Sequence, residues 1–215
     1  MKKVSIINYG SGNLLSVARA VEKVGSTPLL TNSENEILNS DRVILPGVGA
    51  FQNGIDQLKK FGLDEVLTIA RNREIPILGI CLGMQLLFDT GQEFGFSEGL
   101  GFIAGTVSEI PDEIIGGVKL KRPHIGWRQI TICEDALNGF DKKMVSNIDE
   151  MDSFYHIHSY AAVPLNRENT IATSTYGGQS LSTFVSNEMV FGCQFHPEKS
   201  GPSGLKIVSN FIEIV

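Results

Sequence analysis

The sequence predicts a mixed α/β fold: a central, mostly parallel sheet flanked by helices, with a smaller strand-rich part in the second half of the chain. Three observations point to it. Before residue 93, short apolar runs alternate with amphipathic segments of helical period, the pattern of a parallel sheet covered on both faces. From residue 106 onward the chain reads instead as short strands separated by turns. Late in the chain, residues 190–194 are apolar enough to rejoin the first sheet, so one domain spanning residues 1–215 is expected.

In order, residues 4–8 read as a first buried strand and residues 14–24 as an amphipathic helix, joined by a turn containing Gly10, Ser11, Gly12 and Asn13. That turn lacks the full G-x-G-x-x-G spacing and a following phosphate-binding lysine, which argues against a nucleotide site. Strands are expected at 27–31, 42–45 and 75–80, with helical patterns between them and a helix beginning at Leu82. Residues 93–105 are glycine-rich. Further strands are expected at 106–110, 118–122, 127–132, 154–160, 171–175, 182–185 and 190–195, and a closing helix at 205–214 with Gly201, Pro202 and Ser203 as its start signal.

Composition narrows the class of function. A chain of 215 residues can bury one sizeable core. A formal charge of −6 without a basic block argues against nucleic acid or an anionic membrane as partner. The three widely spaced cysteines do not resemble a disulfide framework, and the first apolar run is too short for a signal peptide. No apolar stretch approaches the ~20 residues that span a bilayer. A cytoplasmic setting is expected.

The stretch 75–85 carries the chemistry. Gly79-Ile80-Cys81-Leu82-Gly83 is a nucleophile-elbow pattern with sulfur in place of the serine oxygen. Glycines two residues either side let the chain turn sharply from strand to helix, exposing the central side chain beside unpaired helix N–H groups. A thiolate there is favoured by the helix dipole. The alternative, Cys81 as a small buried hydrophobe, is the usual fate of a free cysteine. The turn Pro46-Gly47-Val48-Gly49 leaves the third strand at the same sheet edge, so a Val48 or Gly49 N–H can serve as oxyanion donor with that of Leu82, unless the turn is a plain connection. His196 follows a strand, and Glu198, two residues on past a stiffening proline, can reach back to orient its ring. His156 and His158 share a strand face and with Cys193 and His196 make a conceivable zinc set. Alternation would split Cys193 from His196 and further ligands are missing, so no metal is expected, and strand packing or substrate binding remain open for the two histidines.

GICLGMQLL around Cys81 and FGCQFHPEKSG around His196 resemble the class I, triad-type glutamine amidotransferases. NYGSGNL, PGVGAF, HIGW and HSY are similar, in order and spacing, to the glutaminase subunits of imidazole glycerol phosphate synthase within that family. The resemblance implies that Cys81 attacks L-glutamine, with His196 as proton carrier and Glu198 as its orienter. It implies that Gly49, Gln85, His158, Ser159 and Tyr160 hold the glutamine, and that no metal or organic cofactor is needed. It also implies a heterodimer with a (β/α)8-barrel cyclase, met near the Gly10 to Asn13 loop, Trp127, Tyr155 and Lys199. Arg128 and His156 depart from the family pattern close to that expected contact, leaving open a related subunit that feeds ammonia to sugar amidation. A stand-alone cysteine hydrolase and a non-catalytic interaction module are the rivals outside the family.

Overall fold

A computed structural model of the chain describes residues 1–111 and 121–214. The first half runs β1 (Lys3–Ile7), α1 (Leu14–Lys23), β2 (Thr27–Thr31), α2 (Glu34–Leu38), β3 (Arg42–Gly47), α3 (Phe51–Lys60), α4 (Leu63–Asn72), β4 (Ile77–Cys81) and α5 (Leu82–Leu86). The second half continues with β5 (Phe88–Gly91), β6 (Ser97–Glu98), β7 (Ile103–Glu109), β8 (His124–Gln129), β9 (Thr131–Ile132) and α6 (Gly139–Met144). It ends with β10 (Ser153–His158), β11 (Tyr160–Pro164), β12 (Thr170–Tyr176), β13 (Gln179–Asn187), β14 (Val190–Cys193) and α7 (Gly201–Ile212).

β2, β1, β3, β4 and β14 lie side by side and parallel, and β13, β11, β7, β5 and β6 extend the same sheet. The late apolar run thus returns to the centre: β14 pairs with β4, Gly192 opposite Gly79 and Cys193 opposite Ile80. Two buried clusters cover the two faces, one including Val17 and Val21 of α1 with Ile207 and Phe211 of α7, the other including Ile55 and Leu58 of α3 with Leu67 of α4. In α1, Val17, Ala18, Ala20 and Val21 are the buried positions, the apolar stripe that a 3.6-residue period turns to one side. Arg42, at the start of β3, donates from Nε to the Phe211 carbonyl and from Nη2 to the Ile212 carbonyl, joining strand and helix where the α7 dipole is negative.

Several expected boundaries move, for identifiable reasons. Two segments expected as single strands are broken, because each changes sheets. Residues 154–160 become β10, which among the described residues pairs with β8 alone, and β11, which joins the large sheet, with Ser159 between them. Residues 127–132 likewise split into β8 and β9, the latter paired with β12. The helix after Cys81 has five residues, all buried, before the chain enters β5. Neither β5 nor the short α6 was expected; α6 is held by a capping box in which Asn138 Oδ1 accepts the Phe140 and Asp141 N–H groups. The strand expected at 118–122 lies mostly outside the described residues. Among the described residues no helix is long and apolar enough to cross a membrane.

Candidate active site

The elbow forms as the glycine spacing predicts. Cys81 ends β4 and precedes α5 with φ 55° and ψ −111°, a positive-φ conformation forced by the sharp reversal. The flanking glycines are required by close approach. A Cβ on Gly83 would strike the Leu45 carbonyl oxygen, and one on Gly79 would lie 2.7 Å from the Gly83 oxygen. Two adjacent parallel strands, β4 and β14, therefore deliver Cys81 and, just past β14, His196 to the same carboxyl edge of the sheet.

The His196 turn is tied to β10. Its N–H donates to the Tyr155 carbonyl at 2.9 Å, while Ser200 Oγ donates to the His196 carbonyl at 2.6 Å and accepts the Tyr155 N–H at 2.9 Å. His196 Nδ1 donates to Glu198 Oε1 at 2.8 Å, which leaves Nε2 as the free nitrogen. Both side chains are 2 % exposed, and both His196 Nε2 and Glu198 Oε2 lack a hydrogen-bond partner among the described residues. No bond of ordinary geometry joins Nε2 to the sulfur, yet the two groups interact. Burial alone would lower the imidazole pKa, but Cys81 and then Glu198 outweigh it and raise the value to about 9.

A cavity of about 480 Å3 opens over these groups. Val48, Gly49, Leu82, Gln85, His158, Ser159, Tyr160 and Lys199 line it together with Cys81 and His196. Glu198 stands behind the imidazole. Ala50, of the PGVGAF motif, also lines the cavity, as do Glu93, Pro123 and Ile157, to which the sequence assigned no role. The break in the strand at Ser159 brings the 158–160 triplet to the cavity wall. The Val48 N–H donates to Ser11 Oγ at 3.1 Å, and Ser11 Oγ donates back to the Val48 carbonyl at 2.7 Å. In this conformation its N–H is already committed.

A family model described as glutamine amidotransferase class-I matches residues 5–215. The chain belongs to the class-I glutamine amidotransferases. Full-length similarity extends to curated relatives: it is 41 % identical over 214 residues to the imidazole glycerol phosphate synthase subunit HisH 1 of Legionella pneumophila (strain Lens), covering 100 % of both chains. It is 38 % identical to the HisH subunit of Geobacillus sp. (strain WCH70), covering 99 % of this chain and 97 % of that one. Among solved structures, its fold is similar to PurLQS from Thermotoga maritima, with a TM-score of 0.69 at 19 % identity and 99 % of both chains covered. It is also similar to a putative GMP synthase protein from Thermoplasma acidophilum, with a TM-score of 0.70 at 18 % identity, covering 100 % of this chain and 94 % of that one.

Around the amidotransferase cavity, β8 and β10 present an apolar outer face. Trp127 pairs with Tyr155 and Ile125 with Ile157 across the ladder, and the Trp127 and Tyr155 rings lie 6.0 Å apart. Trp127 is 52 % exposed and Ile125 53 %. Asn13 and Lys199 are exposed as well. The two departures from the family pattern sit on the same two strands, and alternation turns them to the opposite face. His156 is fully buried, and the Arg128 guanidinium lies over the Tyr176 ring at 5.8 Å.

His156 belongs with His124 and His158 to a buried group beneath the cavity. His158 Nδ1 donates to the Tyr160 carbonyl at 2.8 Å, so its Nε2 accepts from His124 Nδ1 at 3.1 Å. His156 Nδ1 faces the Phe154 carbonyl at 3.1 Å, and Thr183 Oγ1 donates to its Nε2 at 2.7 Å. Burial, then the neighbouring histidines, lower His124 and His156 to about 3. Burial first, then His196, lowers His158 to about 4, against the opposing hydrogen bond to Tyr160. Three neutral imidazoles thus support the triplet that lines the cavity. Sequence reasoning also missed Gln194, whose Nε2 lies 3.8 Å from Cys81 Sγ. A polar residue inside the apolar run 190–195 was the available signal.

Proposed function

We propose that this chain is the glutaminase subunit of an imidazole glycerol phosphate synthase, hydrolysing L-glutamine and passing ammonia to a (β/α)8-barrel cyclase in a cytoplasmic heterodimer. The observation that carries the reading is the convergence of Cys81, His196 and Glu198 at one cavity beside an exposed apolar face, in a chain alignable end to end with HisH subunits.

In this reading the Cys81 sulfur attacks the side-chain amide carbon of glutamine. His196, protonated at Nε2 and held through Nδ1 by Glu198, gives its proton to the departing ammonia. The C–N bond breaks and a glutamyl thioester remains. Water, deprotonated by His196, then cleaves the thioester and returns the electron pair to sulfur. The tetrahedral oxyanion is met by the Leu82 N–H and by the Gly49 or Val48 N–H once the 46–49 turn has released Ser11. Gln85, Ser159 and Tyr160 hold the substrate, and Glu93, the acid on the cavity wall, suits its α-ammonium.

Ammonia freed into water is protonated and diluted, which gives the apolar face of Ile125, Trp127, Tyr155 and Ile157 its use as the seat of the barrel partner. The test is to purify the chain together with its barrel partner and identify the product made from glutamine. Cys81→Ala is expected to lower glutamine-dependent synthesis at least about a thousandfold while synthesis from free ammonia persists. Equal glutaminase activity with and without the partner overturns the reading, and an amidated sugar as product replaces its pathway.

A further inference from the structure

Gln85 Nε2 lies 3.0 Å from the Tyr160 carbonyl and 3.0 Å from Gln194 Oε1, and Gln194 Nε2 lies 3.8 Å from Cys81 Sγ. The orientation of both amides follows from the first contact. A backbone carbonyl only accepts, so the Gln85 atom facing Tyr160 is the amide nitrogen. That same nitrogen faces Gln194, whose near atom is therefore the oxygen. The Gln194 nitrogen is left turned to the sulfur. The Tyr160 carbonyl also accepts from His158 Nδ1 at 2.8 Å, so one main-chain oxygen orders the imidazole and both amides. Gln194 is wholly buried, and its own N–H is bound to the Thr183 carbonyl at 2.9 Å, which keeps the side chain in register.

The geometry points to Gln194 as a further working residue of the glutaminase reaction: its side-chain N–H donates to the Cys81 sulfur and favours the thiolate. The inference rests on the function proposed above. A donor aimed at sulfur stabilises the anion more than the thiol, because the bond becomes charge-assisted only when the proton has left. The sulfur then faces an amide donor and the His196 imidazole, with the Ile157 carbonyl at 3.9 Å as the acceptor to which the thiol form donates. During acylation its lone pair becomes the C–S bond. On thioester cleavage the pair returns to sulfur and meets the same donor. Since Gln85 spends its N–H groups on Tyr160 and Gln194, its oxygen is the polar atom it can offer to substrate. A substrate donor there strengthens each link toward Cys81, as hydrogen bonds in series do.

The test uses the full chain with Gln194→Met, which keeps length and loses the donor, and Gln194→Glu, which keeps the acceptor for Gln85 and turns an oxygen to the sulfur. Alkylation of Cys81 by iodoacetamide, read by mass at its own peptide, is expected to slow about tenfold at pH 7 in the Met variant, with its pH profile displaced upward. The Glu variant is expected to slow further. With the barrel partner present, kcat for glutamine falls about tenfold, KM stays within about twofold and ammonia-dependent synthesis is unchanged. An unaltered alkylation profile in either folded variant overturns the inference, as does lost glutamine turnover without a change in that profile. Alkylation needs neither glutamine nor partner, so a wild-type complex that fails to use glutamine overturns the proposed function while the thiol measurement still reads Gln194.

Discussion

Ser11 holds the 46–49 turn, proposed above as the oxyanion donor, in its present conformation. Its hydroxyl accepts the N–H of the Gly47–Val48 peptide and donates to the carbonyl of the Val48–Gly49 peptide, so turning either peptide toward Cys81 breaks one hydrogen bond. Each is partly solvent-exposed and contributes about 0.5–1.5 kcal/mol, which holds each peptide in its present orientation by about two- to tenfold. Ser11→Ala is therefore expected to raise partner-free glutaminase activity by roughly two- to tenfold. Steady-state assays of the isolated chain check this, and a rate no higher than wild type would show that Ser11 does not restrain the turn. At this scale the sequence was informative where a residue type is tied to a chemistry, as with Cys81, His196 and Glu198. It was silent on Glu93 and on the bonds that Ser11 makes, because their partners Phe51 and Val48 lie 42 and 37 residues away and no local spacing records the meeting.

The elbow and the β10–β11 switch are the elements that build the cavity. Gly83 begins the turn into α5 against the Leu45 carbonyl, so Gly83→Ala forces backbone apart rather than a movable side chain. It is expected to abolish Cys81 alkylation at a normal rate and to cost roughly 1–3 kcal/mol in stability, checked by urea denaturation and by mass at the Cys81 peptide. A fully active, equally stable variant would refute the close-packed elbow. The elbow was legible because strand, glycine, cysteine and glycine are contiguous. The switch at Ser159 was not. Residues 154–160 read as one strand, and only the separate partners of its two parts, β8 on one side and β7 with β13 on the other, decide that the strand breaks where the 158–160 triplet meets the cavity.

Across the whole molecule, the buried histidines link stability to pH. His124, His156 and His158 have folded pKa values of about 3, 3 and 4, all below their ordinary value near 6.5. As pH falls the unfolded chain takes up these protons first. The contribution is therefore full above about pH 6.5 and is lost as pH drops toward the folded values. The urea midpoint is expected to fall steadily between pH 7 and 5, and His156→Phe, which removes one of the three protons, to flatten that fall. A midpoint independent of pH over this range would contradict the neutral cluster. The sequence placed His156 and His158 on one strand face but left their role open, since His124 joins them only through the β8–β10 ladder and Tyr176 only from β12.

The sequence by itself determined the alternating parallel half, the return of residues 190–194 to the central sheet, and the three side chains at the carboxyl edge. These follow from local periodicity, from glycine's backbone freedom and from the chemistry that each side chain carries. Only the tertiary structure decided that Val48 rests on Ser11, that Arg128 and His156 turn inward, and that the Tyr160 carbonyl orients an amide chain ending at Cys81. The physical reason is that hydrogen-bond direction depends on which groups meet across the fold, and pairings between residues 75 or 113 positions apart leave no trace in local sequence.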